Sequence, residues 1–512
     1  MAQVKYRGNL SAKWFPFVSE WFGRSVIVQQ QDQNFNRQVT SDQDLDKDRG
    51  IPQVYYCHNV MPSAEGLQSV GYLNPVYGNM TGMNNIVTLR DTSGNSVLYA
   101  RDGAGNSYVC AYGAVVWTPI TSPPGTAGVR YTIATVNGQT YIMYSTVGLY
   151  TYTGGALVHV GFNGLTEANV LGITSANGYM IAYSATSIAW SSTVVDPVIT
   201  DPIDFTPSQI TGAGGGSVQA VKGKIALCIP HFLGFIIYTN VNAVAAVYSG
   251  NVNYPYNFRE VVGSGGMSNP NYVDYDPNSG NHFAYTTSGI QIVSVSATQT
   301  VMPEATDFLA GKYFEDFNEQ TKTFSSVALT APMQKNLTIV ADRYLVLSYG
   351  ITSLTHALVY DTIMKRYGKL KVPHTSCFEY RLSTPETIDN PRDSLAFMQD
   401  SGAIVVVDFN YASQVGDGVL LLGKYQFERT NLLQLQEVHL ENIRAGNNLS
   451  VSDWPTMDGK NFLTPIPGTL TVNNGNFRQY NVHNTALNHS IMLIGNFFLT
   501  SVMLTFNVHG MR

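Results

Sequence analysis

Short alternations of apolar and polar residues, broken by glycine-rich turns, dominate the chain. Within 129–160, Val129, Tyr131 and Ile133 alternate with Arg130, Thr132 and Ala134, the period of a half-buried strand. Asn137-Gly138 follows and supplies the positive φ angles that a two-residue hairpin requires. Residues 140–144 return, Gly148 turns, 149–152 run on, and Gly154-Gly155 leads into 156–160. The stretch predicts four short strands in a meander, the size of one propeller blade.

The outline recurs. An aromatic strand ending in Tyr-Ser or Tyr-Thr appears at Tyr144, Tyr183, Tyr238 and Tyr285, with steps of 39, 55 and 47 residues. Propeller repeats run at roughly 40–50 residues. Further strand pairs are predicted over 85–120, over 337–349 with 355–360, and over 394–409 around Asp400-Ser401-Gly402. An array of β-sandwiches leaves a similar trace, but the spacing favours an irregular β-propeller of about six or seven blades.

After residue 416 the strands lengthen, over 419–428, 432–443 and the final 490–508. Leu433 and Leu435 share one parity and Val438 and Leu440 the other, which predicts a bulge near Gln436-Glu437. Residues 1–50 differ again: Trp14, Phe15, Phe17, Trp21 and Phe22 precede the polar run 29–36 and the acidic run 41–50. That segment reads either as a docking arm or as aromatics closing the main core. The expectation is an all-β chain with an N-terminal arm (1–50), a β-propeller (51–415) and an additional C-terminal β-sandwich-like domain (416–512).

Composition narrows the function. The 512 residues are 44% hydrophobic but only 12% charged, about half the roughly 25% of ordinary globular chains. Net charge is −6, and the densest basic cluster, Lys365-Arg366 with Lys369 and Lys371, is small. A chain that grips nucleic acid by its phosphates carries a larger basic patch, so passage of DNA fits better than tight binding. Cys57, Cys110, Cys228 and Cys377 lie far apart beside apolar residues, as buried free thiols do. No signal-peptide run opens the sequence and no stretch reaches the ~18 apolar residues of a membrane span; synthesis in a host cytoplasm and no membrane partner are expected.

Catalytic patterns fail one by one. Gly418–Lys424 has the spacing of a phosphate-binding loop, but Tyr425 stands where Ser or Thr should bind magnesium. Gly212–Ser217 lacks a surrounding βαβ unit and reads as a flexible loop between blades. Asp42, Asp44, Asp46 and Asp48 alternate, yet an EF-hand starting at Asp44 meets Arg49 and Tyr55 at its required Gly and Glu positions. Asp196, Asp201 and Asp204, and Glu315-Asp316, are the carboxylates a glycosidase would use; as turn carboxylates they face water. No catalytic, cofactor-binding or metal residue is expected, and no cofactor.

Several segments resemble tail nozzle or hub proteins of short-tailed bacteriophages, the packaged-DNA stabilisation type. They are residues 21–28 (WFGRSVIV), 201–208 (DPIDFTPS), 247–251 (VYSGN), 258–265 (FREVVGSG), 357–371 (ALVYDTIMKRYGKLK), 377–380 (CFEY) and 421–429 (LLGKYQFER). The resemblance implies a propeller with an added β domain, assembled as a homohexameric ring below the portal and adaptor of the virion tail. It also implies contacts with tail fibre, spike or plug proteins and passage of genomic DNA through the lumen without sequence-specific binding. It brings no active-site residues. The alternative is a glycan-binding or glycan-cleaving propeller of a receptor-binding spike, which predicts an aromatic platform and paired carboxylates at one mouth.

Overall fold

The computed structural model describes residues 2–9, 26–27, 54–63, 66–90, 96–192, 202–267, 269–310, 313–318, 321, 323–380, 395–409, 418–426, 432–441, 444–445, 448–457 and 462–509. Strands dominate, and among the described residues one α-helix occurs, Pro303–Leu309. The all-β expectation holds.

Among the described residues seven antiparallel meanders follow one another over 84–120, 131–159, 172–216, 225–260, 273–300, 334–374 and 376–408; the sixth is half of an eight-stranded sheet, and the seventh has three strands of its own. The predicted meander is Tyr131–Val136, Gln139–Tyr144, Gly148–Thr153 and Ala156–His159. Its first turn holds Asn137 at φ 52° and Gly138 at φ 79°, the left-handed pair that a tight hairpin needs. Tyr144, Tyr183, Tyr238 and Tyr285 each lie on the second strand of a meander. Three of them, Tyr144, Tyr183 and Tyr238, are at most 1% exposed. The tyrosine spacing therefore marks a repeated core position.

Adjacent meanders pack through their first strands. Tyr131–Val136 contacts Gly172–Ala176, which contacts Ile225–His231; Val273–Asp276, Gln334–Val340 and Ser376–Glu379 continue the series. Ser376–Glu379 then meets Asn84–Arg90, which packs on Gln139–Tyr144, so the circuit closes. The last meander borrows its outer strand, Gly71–Val76, from ahead of the first, with Asp408 opposite Gly71 and Ile404 opposite Val76. That exchange fastens the two ends of the circuit by backbone hydrogen bonds.

Most strands after residue 417, joined by strands from the start of the chain, form two facing sheets; Val60–Pro62, Leu67–Ser69, Phe497–Leu499 and Arg444–Ala445 extend the sheet of the sixth meander instead. One runs Ala2–Asn9, Ser501–His509, Leu432–Glu441, Phe477–Ala486, Thr469–Asn474; the other is built on Gly418–Gln426 and Asn488–Gly495. Their shared core includes Leu420, Leu422, Leu433, Leu435, Val438, Leu440, Ile491, Leu493, Leu504 and Phe506. The register shifts between Leu435 and Glu437, as the parity change predicts. This bulge is what lets Val438 and Leu440 face the same core as Leu433 and Leu435. Val419, Leu421, Met492 and Ile494 on the opposite face pack against Tyr56, Phe317 and Trp454. Gly418–Gln426 is thus buried on both faces, which explains its unbroken apolar run.

Two expectations need correction. Within the segment read as a docking arm or as core-closing aromatics, Ala2–Asn9 pairs along its whole length with the final strand, Ala2 opposite Val508 and Asn9 opposite Ser501. Val26–Ile27 and Val54–His58 likewise pair with Gly418–Gln426, so the two-sheet unit draws on both ends of the chain and its boundary is not simply residue 416. The aromatic, polar and acidic runs at 14–22, 29–36 and 41–50 lie outside the described residues. Gly214–Gly216 is not a loop but the fourth strand of its meander, paired with Ile188–Trp190. A Cβ on Gly215 would lie 2.5 Å from the Ile188 carbonyl oxygen, a close approach open only to glycine. The leucines of 418–424 are core strand rather than phosphate loop.

Candidate functional site

The densest set of ionisable side chains in contact lies where the circuit meets the two-sheet unit. A hairpin, Tyr313–Asn318 with Thr323–Ala328, leaves the chain between the fifth and sixth meanders. Phe317, fully buried, packs on Tyr56, His58 and Trp454, a burial worth about 1.5–3 kcal/mol. Next to it stands Asp316. Strand alternation supplies its partners: Lys369 and Lys371 share one face of Arg366–His374, His356 lies opposite Lys371, and Tyr56 and His58 share one face of Val54–His58.

Asp316 is saturated with donors. Lys371 Nζ lies 3.0 Å from Oδ2. Tyr56 Oη donates to Oδ1 at 3.1 Å, the Phe317 amide at 2.8 Å, and His356 Nε2 stands 3.3 Å away. Thr355 Oγ1 lies 2.9 Å from His356 Nδ1, which fits a neutral ring that donates through Nε2 and accepts at Nδ1. Lys369 Nζ sits 4.4 Å above the Tyr56 ring, a cation–π contact.

The titration behaviour follows from this packing. Burial alone would raise the Asp316 carboxyl, but the hydrogen bonds and charges of His356 and Lys371 outweigh it and hold the group well below the usual carboxylate range. Burial, reinforced by Lys369 and Lys371, pushes His356 down to about 4. Burial and then the Asp316 charge raise Tyr56 well above an ordinary phenol. A carboxylate with so little proton affinity and so many donors is a poor acid or base near neutrality. Chemically the cluster is a clamp between the hairpin, the sixth meander and the strand that enters the two-sheet unit.

A second buried pair lies inside that unit. His489 Nδ1 is 2.8 Å from Asp453 Oδ2, both side chains are fully buried, and His489 Nε2 lies 2.9 Å from the Leu433 carbonyl. Asn484 donates to the same Asp453 oxygen at 2.7 Å. Burial works against a charged His489, but the Asp453 charge and hydrogen bond prevail and raise its pKa.

The carboxylates singled out from sequence do not converge. Asp196 and Asp201 lie outside the described residues, as does the Glu315 side chain. Asp204 caps its own turn by accepting from the Thr206 amide at 2.9 Å. Among the described residues no three His, Cys, Asp or Glu side chains are grouped to hold a metal ion. Among the described residues the most exposed aromatics, Tyr77, Phe232 and Tyr254, stand on separate connections, and the less exposed Tyr248 packs on Tyr179 and Tyr256. All four cysteines are buried and free. Of the basic cluster, Arg366 and Lys369 are buried, and Arg366 donates to the carbonyls of Ser63 and Gly66 at 2.6 and 2.7 Å. Sequence reasoning noticed those cations but missed Tyr56, His58 and His356. The available signal was two lysines at alternate positions in an otherwise apolar strand.

No family model matches the chain, and no curated protein is similar to it. Among solved structures it is similar to the extracellular domain of a one-component system of B. thetaiotaomicron, with a TM-score of 0.40 and 11% identity over 91% of this chain. The chain spans 64% of that protein's length, under two thirds. It is also similar to virginiamycin B lyase from Staphylococcus aureus, with a TM-score of 0.36 and 11% identity over 66% of this chain and 99% of that one. Both likenesses are too distant to bear on what the chain does.

Proposed function

We propose that the chain is a non-enzymatic structural protein of a virion, the nozzle or hub of a short-tailed phage tail. In this reading the seven meanders are the blades of one closed propeller and the two facing sheets are an added β-sandwich. Six copies form a ring below the portal and adaptor that carries fibres, spikes or a plug and extends the DNA channel. The chain is made in the host cytoplasm and ends in the tail.

The closed circuit of meanders, fastened by the Gly71–Val76 strand, is the observation that supports this reading most. Radial repetition leaves only short, protected strand edges, so many copies crowd with little unplanned edge pairing. The Asp316 cluster supports it too, since its hydrogen bonds serve to join two bodies rather than to face a substrate. A chain of net charge −6 lets DNA slide rather than stick. Antibody to this chain, applied to virions of the source phage, is expected to place gold at the single tail vertex. Gold scattered over the capsid, or none, removes the reading.

A further inference from the structure

Exposed sheet edges invite pairing with other chains, and proteins blunt them with proline, charge or brevity. Among the described sheets of four or more strands, most outer edges are blunted in these ways, Ala156–His159 and Arg444–Ala445 by being only four and two residues long. Thr118–Ile120, Gly71–Val76 and Ile466–Pro467 contain proline, Tyr256–Glu260 carries Arg259 and Glu260, and Gly214–Gly216 and Thr298–Thr300 are three residues long. Thr469–Asn474 is blunted only by a register shift between Leu470 and Val472. It is an edge of the five-stranded sheet, has six residues, no charge and no proline, and every residue is exposed. Leu470 and Val472 are 44% and 38% exposed.

The opposite edge of that sheet is Ala2–Asn9, whose pairing among the described residues is with the final strand. Each neighbouring pair in the sheet is antiparallel, so the two edges run in the same direction. Rotation about an axis along the strands preserves that direction and sets one copy's Thr469–Asn474 beside the next copy's Ala2–Asn9 as a parallel pair. Such a heterologous contact closes into a ring when the rotation closes. Charge favours it: two copies of Ala2–Asn9 would oppose Lys5 and Arg7, whereas a neutral strand accepts a cationic neighbour without repulsion.

We infer that Thr469–Asn474 is the docking edge for Ala2–Asn9 of a second copy, so that one sheet runs from protomer to protomer around the ring. This inference rests on the ring reading, and the test separates the two. Mass photometry of the full chain is expected to show an assembly of six 56.0 kDa chains, with hydrogen-exchange protection gained on assembly at both 2–9 and 469–474. Val472→Lys, which adds a cation to an edge facing a strand that carries Lys5 and Arg7 in its sequence, should weaken assembly at least tenfold, and Val472→Glu distinctly less; unchanged thermal unfolding of both variants shows that they fold. A ring indifferent to Val472→Lys overturns the edge pairing and leaves the ring reading intact. A dimer weakened equally by Lys and Glu assigns the edge to self-pairing and overturns the inference. A chain that stays monomeric removes both ring and pairing.

Discussion

The two histidine–aspartate pairs use the same residue types, yet their buried imidazoles shift in opposite directions. His489 and Asp453 lie between the facing sheets with Asn484 and a backbone carbonyl as neutral neighbours, and the imidazole is pulled toward its charged form. His356 and Asp316 lie at the joint, where Lys369 and Lys371 already supply positive charge, and the imidazole is held neutral at about 4. A carboxylate shared with lysines has little left to offer a histidine. The lesson is that a His–Asp contact has no fixed meaning; the third and fourth charges decide it.

The comparison can be broken most forcefully at Asp453. Asp453→Ala strips the buried His489 of its counter-charge and is expected to cost about 3–5 kcal/mol, read by urea unfolding. A loss under about 1 kcal/mol would mean that the pair is not ionic at neutral pH.

Next comes pH. His356 has a folded-state pKa below its unfolded value of 6.5, so protonation favours the unfolded chain. Stability should fall as pH drops from 6.5 to about 4, by about 3 kcal/mol at most. His489 has a raised pKa, so its contribution is complete below 6.5 and is lost as pH rises through its folded value. His356→Gln should flatten the acid limb of the melting-temperature profile alone, and His489→Gln the limb above 6.5. Profiles that change on the same side would defeat the contrast.

Asp316→Ala should cost less, about 1–3 kcal/mol, because the carboxylate is 26% exposed and water can replace some donors. Its signature is local: faster hydrogen exchange across Tyr313–Ala328, with the meanders at 131–260 unchanged. The smallest effect is reserved for Thr355→Val, which removes the hydroxyl at His356 Nδ1. It should cost about 0.5–1.5 kcal/mol and let the His356 pKa, followed by NMR, rise toward 6.5. A pKa that stays put would place the neutral form under burial and the lysines alone.

Much of the fold could be read directly along the chain. The hairpin at Asn137-Gly138, the tyrosines on the second strands, and the bulge between Leu435 and Glu437 all follow from periods of two and from turn chemistry. These signals are local, spanning a few residues each. The polar joint was not legible in the same way. Tyr56 and Asp316 are 260 residues apart, and nothing within either strand announces the other.

The sequence by itself determined the strands, their buried faces and the neutral surface, because side-chain alternation and turn residues act between neighbours. Tertiary structure alone decided that Ala2–Asn9 lies beside the final strand, that Gly71–Val76 completes the last meander, and that Lys371, Tyr56 and His356 converge on Asp316 while Lys369 caps the Tyr56 ring. Those outcomes depend on which sheet faces need covering and which edges remain open once the local pieces exist. That competition is settled by burial and hydrogen bonding across hundreds of residues, where one-dimensional periodicity carries no information.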